Sequence, residues 1–522
     1  MMRSRSKRIF LKLCCPVKCS IRKIGQMLGI SKSAVHRQKK TIEQRDRFPE
    51  SYFWETEEGI GFLCRLFVGV LFLFGIKSGI GAGTISEFFK LLRIDTHVGS
   101  CPSTIKNHIN KIQDMLEEYL KSQESKQMSV KSLKIVGGAD ETFFDKMLIV
   151  FMDLASNYIF IEAEADDRTY ETWKDKVQNI ADKFGVGIKY IVSDRAKALI
   201  KLAETGFGCL SIPDLFHASY EIVKVFGLNL GRKKNAIEQK IQESLIALAL
   251  LKELGKDVTE QESIISQFKK EQVLIDSGIS KYKQILHTLS QIVHPFDINN
   301  SHPQSSAFVK WLLKQLVEEI LQLQKEQEIT DPKNRIEKFR KQIEGIASLI
   351  DAWWLWARES LDTDNLSEEV LQWLLTCLLP AVYWRMQAER TKNPELKESY
   401  LNAFEKAQLA LEQHPLTASL IHEKEWLAWA EWMVSNFQRT SSAVEGRNGW
   451  LSQIHHNGRG LTPKRSRALT IIHNYYLKRS DGTTAAQRLF RTKFDDPFEW
   501  LVEHFPELPL PRASTSGAAV TC

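Results

Sequence analysis

This sequence predicts an α/β fold, interrupted by a large all-helical insertion and preceded by helix-turn-helix units. Three observations predict it. Between Leu133 and Ile212, short β-rich runs alternate with helical segments in the order three strands, helix, strand, helix, strand. From about Gly231 to Phe437 the strand signal gives way to helical spacing and many Trp residues. Ahead of both lies a basic segment with the apolar spacing of a helix-turn-helix.

A chain of 522 residues is too long for one ordinary core, so several domains are expected. Hydrophobic residues at 43% and charged residues at 26% are usual for a soluble globular protein. The formal net charge of +7 is modest, but its distribution is not even. Met1 to Ile42 contains no Asp or Glu while Lys and Arg recur, which suits contact with a phosphate backbone. Cys14, Cys15 and Cys19 cluster, but no second Cys or His pair follows at zinc-finger spacing, so no structural zinc is expected. Gly59 to Ile80 imitates a membrane span. Arg65 interrupts it, and the clean run from Leu66 to Ile76 is too short to cross a bilayer, so a buried core helix is expected there.

In the N-terminal segment (residues 1–50), Ile24 and Leu28 stand one turn apart, and Gly25 permits close helix approach. Gly29 supplies the turn, and Ile30 and Val35 return to the core. The helix from Ser31 then presents Lys32, Ser33, His36 and Arg37 outward, residue types that contact phosphates and base edges. Residues 51–128 read as helical throughout. A weaker helix-turn-helix-like unit runs from Thr84 through Ser103 to His108, either a second DNA contact or a support.

From Leu133 the period changes to two. LKIVGGA leads to Asp140, MLIVFM to Asp153, and YIFIEA follows from Tyr158, three runs joined as in an antiparallel meander. A helix fits Tyr170 to Phe184. A fourth strand from Ile188 ends at Ser193 and Asp194, and after a short helix a fifth lies around Cys209 to Ile212. That order is the RNase H-like order, and residues 129–230 form its first part. Residues 231–437 are the Trp-rich insertion. Residues 438–480 return to the core, and 481–522 are a C-terminal tail, expected to be disordered after Leu508.

In such an order, two-metal phosphoryl transfer draws carboxylates from the first strand, the end of the fourth strand and a later helix. Asp140, Asp194 and Glu445 occupy those places. Each has an ordinary alternative. Asp140 could end a strand, with Glu141 competing for its role; Asp194 could cap a helix; Glu445 could close a capping box with Ser442. Asp214 and His217, three apart on one helix, share a face opposite Leu215, Ser219, Ile222 and Phe226. His217 either points into the site or satisfies a backbone carbonyl.

Five blocks resemble the catalytic domain of DDE-type bacterial insertion-sequence transposases, related to the Mutator-like and hAT superfamilies. They are GGADETFF, MDLASNYIF with the stretch ending at Arg168 and Thr169, IVSDRAKAL, IPDLFHASYEIVK and SSAVEGRNGWLSQIHHNGRGL. The fourth resembles the C/DxxH signature of those superfamilies. The resemblance spans roughly Leu133 to Lys478, and a helical insertion between second and third carboxylates is a feature of the family. It implies a DNA transposase with Asp140, Asp194 and Glu445 as the metal-holding triad and His217 as a further catalytic residue. It implies Mg²⁺, with Mn²⁺ able to substitute, double-stranded DNA at element ends and target, and a homodimer or larger assembly. A bacterial cytoplasmic location at the nucleoid follows, with no membrane partner. LSQIHH replaces the family's Lys-rich stretch after Glu445. Arg447 and Arg459 are then the expected DNA contacts, with Lys464, Arg465 and Arg467 adding positive charge. The same resemblance implies an insertion-domain aromatic that stacks on a flipped base. By helical spacing Trp354 turns away from Trp353 and Trp356 and is the first candidate, ahead of Trp426 and Trp429. Two rivals are a transposase-derived DNA-binding regulator without catalysis and an RNase H-like nuclease of repair or RNA.

Overall fold

The computed structural model describes residues 20–45, 48–128, 133–361, 366–420 and 424–511. The Cys14, Cys15 and Cys19 cluster, the first part of the acid-free segment and the end of the tail lie outside them. The chain is mixed α/β and divides into two compact units, Met1–Lys131 with Gly449–Cys522, and Ser132–Asn448.

The second unit is built on one sheet. β1 (Lys134–Phe143), β2 (Met147–Asp153), β3 (Tyr158–Ala165), β4 (Gly187–Ser193) and β5 (Leu210–Pro213) lie in the order β3-β2-β1-β4-β5. β1, β2 and β3 pair antiparallel, as short turns allow, whereas β4 and β5 join parallel to β1 and to each other. The parallel pairs need crossovers, and the helices Tyr170–Phe184 and Lys197–Lys201 lie in those connections. The first begins at Thr169, whose side chain accepts from the Thr172 N–H, and ends at Gly185; it buries Trp173 and Val177. β2 is buried at every position, so its run is continuously apolar rather than alternating. All five strands predicted from the sequence are present.

The helix that follows β5 runs without a break from Leu215 to Glu253, so the helical insertion starts inside it rather than at a boundary near Gly231. Thr259–Ile292, Ser306–Glu326, Arg335–Glu359 and the shorter helices to Ser435 complete the insertion. Trp353, Trp356, Trp373 and Trp384 are its buried ballast. As expected, Trp354 turns away from Trp353 and Trp356 and is the most exposed of the three, yet it is half-buried, donates its indole N–H to the Gln304 carbonyl at 3.1 Å and packs against Phe296. Trp429 is likewise held, donating to Ser360 Oγ at 2.9 Å, and Trp426 is half-buried. Among the described residues of the insertion, Trp311 has the exposed indole, stacked on Phe308.

In the other unit, the Ile21–Leu28 helix starts at Ser20, whose side chain accepts from the Lys23 N–H, and stops at Gly29, whose φ is 64°. The helix Lys32–Arg45 follows, and Ile24 and Val35 form a small core with Ile21, Leu28 and Ile30. The Glu57–Lys77 helix is, among the described residues, the one helix long and apolar enough to cross a membrane. Leu63, Phe67, Val68, Leu71, Phe72 and Ile76 along it are buried in this unit. The stretch from Thr84 to His108 forms two helices, Ala82–Leu91 and Pro102–Ser122, but the long segment between them is no tight turn. Ile85, Phe89, Ile105 and Ile112 are buried.

The C-terminal segment differs from the expected tail. The helices Ala485–Phe490 and Pro497–His504 pack on the region around Tyr119, whose hydroxyl donates to the Asp495 carbonyl at 2.6 Å and whose ring meets Trp500. Leu489, Phe490 and Leu501 are buried there. The helix Pro463–Tyr475, expected in the catalytic core, belongs to this unit as well, with Tyr475 edge-on to Tyr119.

Candidate active site

Strand pairing sets out the site. Asp140 is paired with Val150 and Val150 with Glu162, so one row crosses β1, β2 and β3 on one face. On the other side, Gly138 pairs with Val192, which puts Asp194, just past β4, level with Asp140. Alternation along β1 separates the two candidate acids there. Asp140 accepts from Asn448 Nδ2 at 2.7 Å, while Glu141 meets Trp173 Nε1 at 3.4 Å and Arg168 at 3.9 Å. Asp140 therefore faces the helix that carries Glu445, and Glu141 the Tyr170–Phe184 helix.

The Ser442–Ile454 helix lies over that row. Val444, Arg447 and Asn448 are buried, at the spacing of one helical face. Arg447 makes two hydrogen bonds to Glu162, at 2.5 and 2.8 Å, and Asn448 binds Asp140 beside it. Gly138 explains the close approach. A Cβ there would lie 2.9 Å from Val444 Cγ2 and closer still to Leu154, so any side chain would lift the helix off β1. Gly138 is thus part of the site, a signal the sequence carries without revealing its partner.

The helix caps that the sequence allows for Asp194 and Glu445 are not the contacts they make. Asp194 Oδ1 accepts from the Ala196 N–H at 2.9 Å, closing a turn in which Arg195 has a φ of 64°. It does not cap the Lys197–Lys201 helix. Ser442 Oγ pairs with Thr440 Oγ1 rather than forming a capping box, and the Glu445 carboxylate lies 3.5 Å from His217 Nε2. Burial, and the charges of Glu445 and Asp194, push the Asp140 carboxyl up to about 7.

Asp214 is not on the helix of His217 but caps it, accepting from the Phe216 and His217 N–H groups at 2.7 and 3.2 Å. Its other oxygen accepts from the Ser441 N–H at 2.8 Å and from the Ser441 hydroxyl, and lies 3.4 Å from His217 Nδ1. Although burial opposes it, these bonds hold the Asp214 carboxyl below its usual range. His217 is raised, chiefly by Asp214, then by the charges of Glu445 and Asp194. One carboxylate thus ties the His217 helix to the start of the Glu445 helix, across the whole insertion. Asp214→Ala is expected to cost about 2–4 kcal/mol of stability, because four donors lose their acceptor, the two on Ser441 buried. Combined with Ser441→Ala it should cost clearly less than the two separate losses added together. Strict additivity in denaturant melts would show that the two residues do not act on each other.

Two sets of expected DNA contacts separate. Lys32, Ser33, His36 and Arg37 are all exposed on the second N-terminal helix. Arg447, in contrast, is buried in its pair with Glu162, both side chains at most 3% exposed, and cannot meet a DNA backbone from there. Arg465 is also buried, donating to the Ile76 and Gly460 carbonyls. Lys464 and Arg467 pair with Asp114 and Glu117. The side chain of Arg459 lies outside the described residues.

The donor set fits a hard divalent cation. It is three carboxylates without a thiolate, and a cation between them would relieve the repulsion that raises Asp140. Among the described residues, no three His, Cys, Asp or Glu side chains are gathered closely enough to form a ready metal-binding group.

Residues 374–516 match a protein family of unknown function, DUF6399. No curated protein and no solved structure matches the chain.

Proposed function

We propose that this chain is a DNA transposase of the DDE type, with an RNase H-like catalytic core and an N-terminal helix-turn-helix. One observation carries the reading. Carboxylates from β1, from the end of β4 and from a helix beyond a long helical insertion lie at one end of the sheet, near enough for the charges of Glu445 and Asp194 to act on Asp140. The strand order, three antiparallel followed by two parallel, supports the RNase H-like assignment.

Asp140, Asp194 and Glu445 would hold Mg²⁺ or Mn²⁺, which supplies Lewis-acid activation for attack of water or a 3′-hydroxyl on a phosphodiester. Asn448 orients Asp140 through its 2.7 Å hydrogen bond. His217, kept protonated more readily by Asp214, holds a proton at Nε2 beside Glu445, where a phosphate oxygen or leaving group can accept it. Lys32, Ser33, His36 and Arg37 would read the major groove of the terminal repeats. Bringing two ends together calls for a homodimer or larger.

Purified full-length protein is expected to nick a plasmid carrying the flanking ends of its own gene with Mg²⁺ or Mn²⁺, and not with EDTA. Binding of those ends without cutting under any divalent ion would leave the DNA-binding regulator. Equal cutting of unrelated DNA or RNA would leave the nuclease.

A further inference from the structure

We propose that the insertion helix Arg335–Glu359 supplies a phosphate subsite to this active site, made by Lys338 and Gln342; this rests on the reading of the site as one that acts on nucleic acid. A cleft of about 270 Å³ is lined by Asp194, Asp214, His217, Glu221, Lys338 and Gln342. Four of these come from the loop after β4 and from the helix of His217 with its cap. The other two come from the insertion helix, one turn apart on the same face.

That helix is fixed against the site. Gly345, three residues past Gln342, lies so close to the end of β5 that a Cβ would be 2.8 Å from Pro213 Cδ and 2.9 Å from Arg195 Nη1. Arg335 at the helix start pairs with Glu221 at 3.5 Å, and Trp353 near its end donates to the Met433 carbonyl at 3.0 Å. The wall of the cleft is therefore held in place before any ligand arrives.

The charge pattern of the cleft gives Lys338 its role. Glu221 is already paired with Lys224 and Arg335, and Asp214 with the Ser441 and helix N–H groups. Lys338 is exposed and Gln342 half-buried, and among the described residues neither side chain has an ion-pair or hydrogen-bond partner. An ammonium and an amide N–H without partners, facing the carboxylates across a small cleft, suit the non-bridging oxygens of an anion. The anion that fits this reading is a backbone phosphate of the DNA strand, next to the one under attack.

The test is fluorescence anisotropy of the full-length protein on a short labelled random-sequence duplex, in Ca²⁺ and over a series of salt concentrations. Lys338→Ala should bind about tenfold more weakly, as expected for a lost charge-assisted contact. Its salt dependence should become shallower by about 0.9, the contribution of one phosphate. Gln342→Ala should weaken binding less and leave the salt dependence unchanged, and Lys338→Arg should restore most of both. Melting temperatures should stay at the wild-type value, since both residues lie at the surface of the cleft. Wild-type affinity and salt dependence in Lys338→Ala would overturn the subsite. Loss of affinity in Lys338→Ala together with a wild-type protein that never cuts in Mg²⁺ would keep the subsite and remove the catalytic reading.

Discussion

At about pH 8 the metal-free Asp140→Asn variant is expected to melt well above the wild type, at about pH 5 by a smaller margin, and below about pH 4 the two should melt nearly together. The cause is the raised Asp140 carboxyl. Its folded value of about 7 lies above the ordinary 3.8, so the folded protein holds this proton more tightly than the unfolded chain. The stabilising contribution is present below pH 4 and is lost as pH rises through about 7. The difference corresponds to at most about 4 kcal/mol, at 1.36 kcal/mol for each tenfold change in acidity. Asn carries no charge, and its carbonyl can still accept from Asn448. Added Mg²⁺ should raise the wild type at pH 8 and leave the variant unmoved. The same variant should lose cleavage entirely while retaining end binding. A variant that cuts at the wild-type rate would remove Asp140 from the triad, and one that melts no higher at pH 8 would show that the carboxylates do not repel.

Arg447→Ala is expected to destabilise the chain by about 3–5 kcal/mol, because Glu162 is left as a buried charge without a counterion. Replacing the pair together, Arg447→Met with Glu162→Gln, should recover much of that loss. The effect on function passes through position rather than contact. Arg447 sets the rotation of the Ser442–Ile454 helix over β3, and with it the placement of Asn448 and Glu445. Below its melting range, the double variant should bind DNA with the wild-type salt dependence but cut more slowly. A shallower salt dependence would return Arg447 to the DNA surface. A loss below about 1 kcal/mol in Arg447→Ala would mean that the pair is solvated.

Local pattern was enough for the elements. The five strands, the crossover helix from Tyr170 to Phe184 and the turn at Gly29 are all set by alternation, helical spacing and one glycine, over stretches shorter than twenty residues. The candidate acids were legible because their order along the chain, strand, strand end and late helix, survives whatever lies between them. The basic face of Lys32, Ser33, His36 and Arg37 was legible for the same reason, since a short helix with an apolar stripe leaves its other face to solvent.

What the sequence could not decide was which charge goes inside. Arg447 and Arg465 look like any other Arg in a basic stretch, and only the arrival of β3 beside one and of the Ile76 carbonyl beside the other buries them. Trp354 turns away from its neighbours as helical geometry requires, yet a strand-free loop through Gln304 covers it, and no local period encodes that. The choice of Asp140 over Glu141 depends on which face of β1 the Glu445 helix covers, a contact across some three hundred residues. The sequence by itself therefore determined the five strands, the crossover helix and the order of the candidate acids, because those rest on near neighbours and on chain order. The tertiary structure alone decided their partners, because Asp214 with Ser441, Gly138 with Val444 and Arg447 with Glu162 are meetings of distant segments that the chain can make only once both are folded.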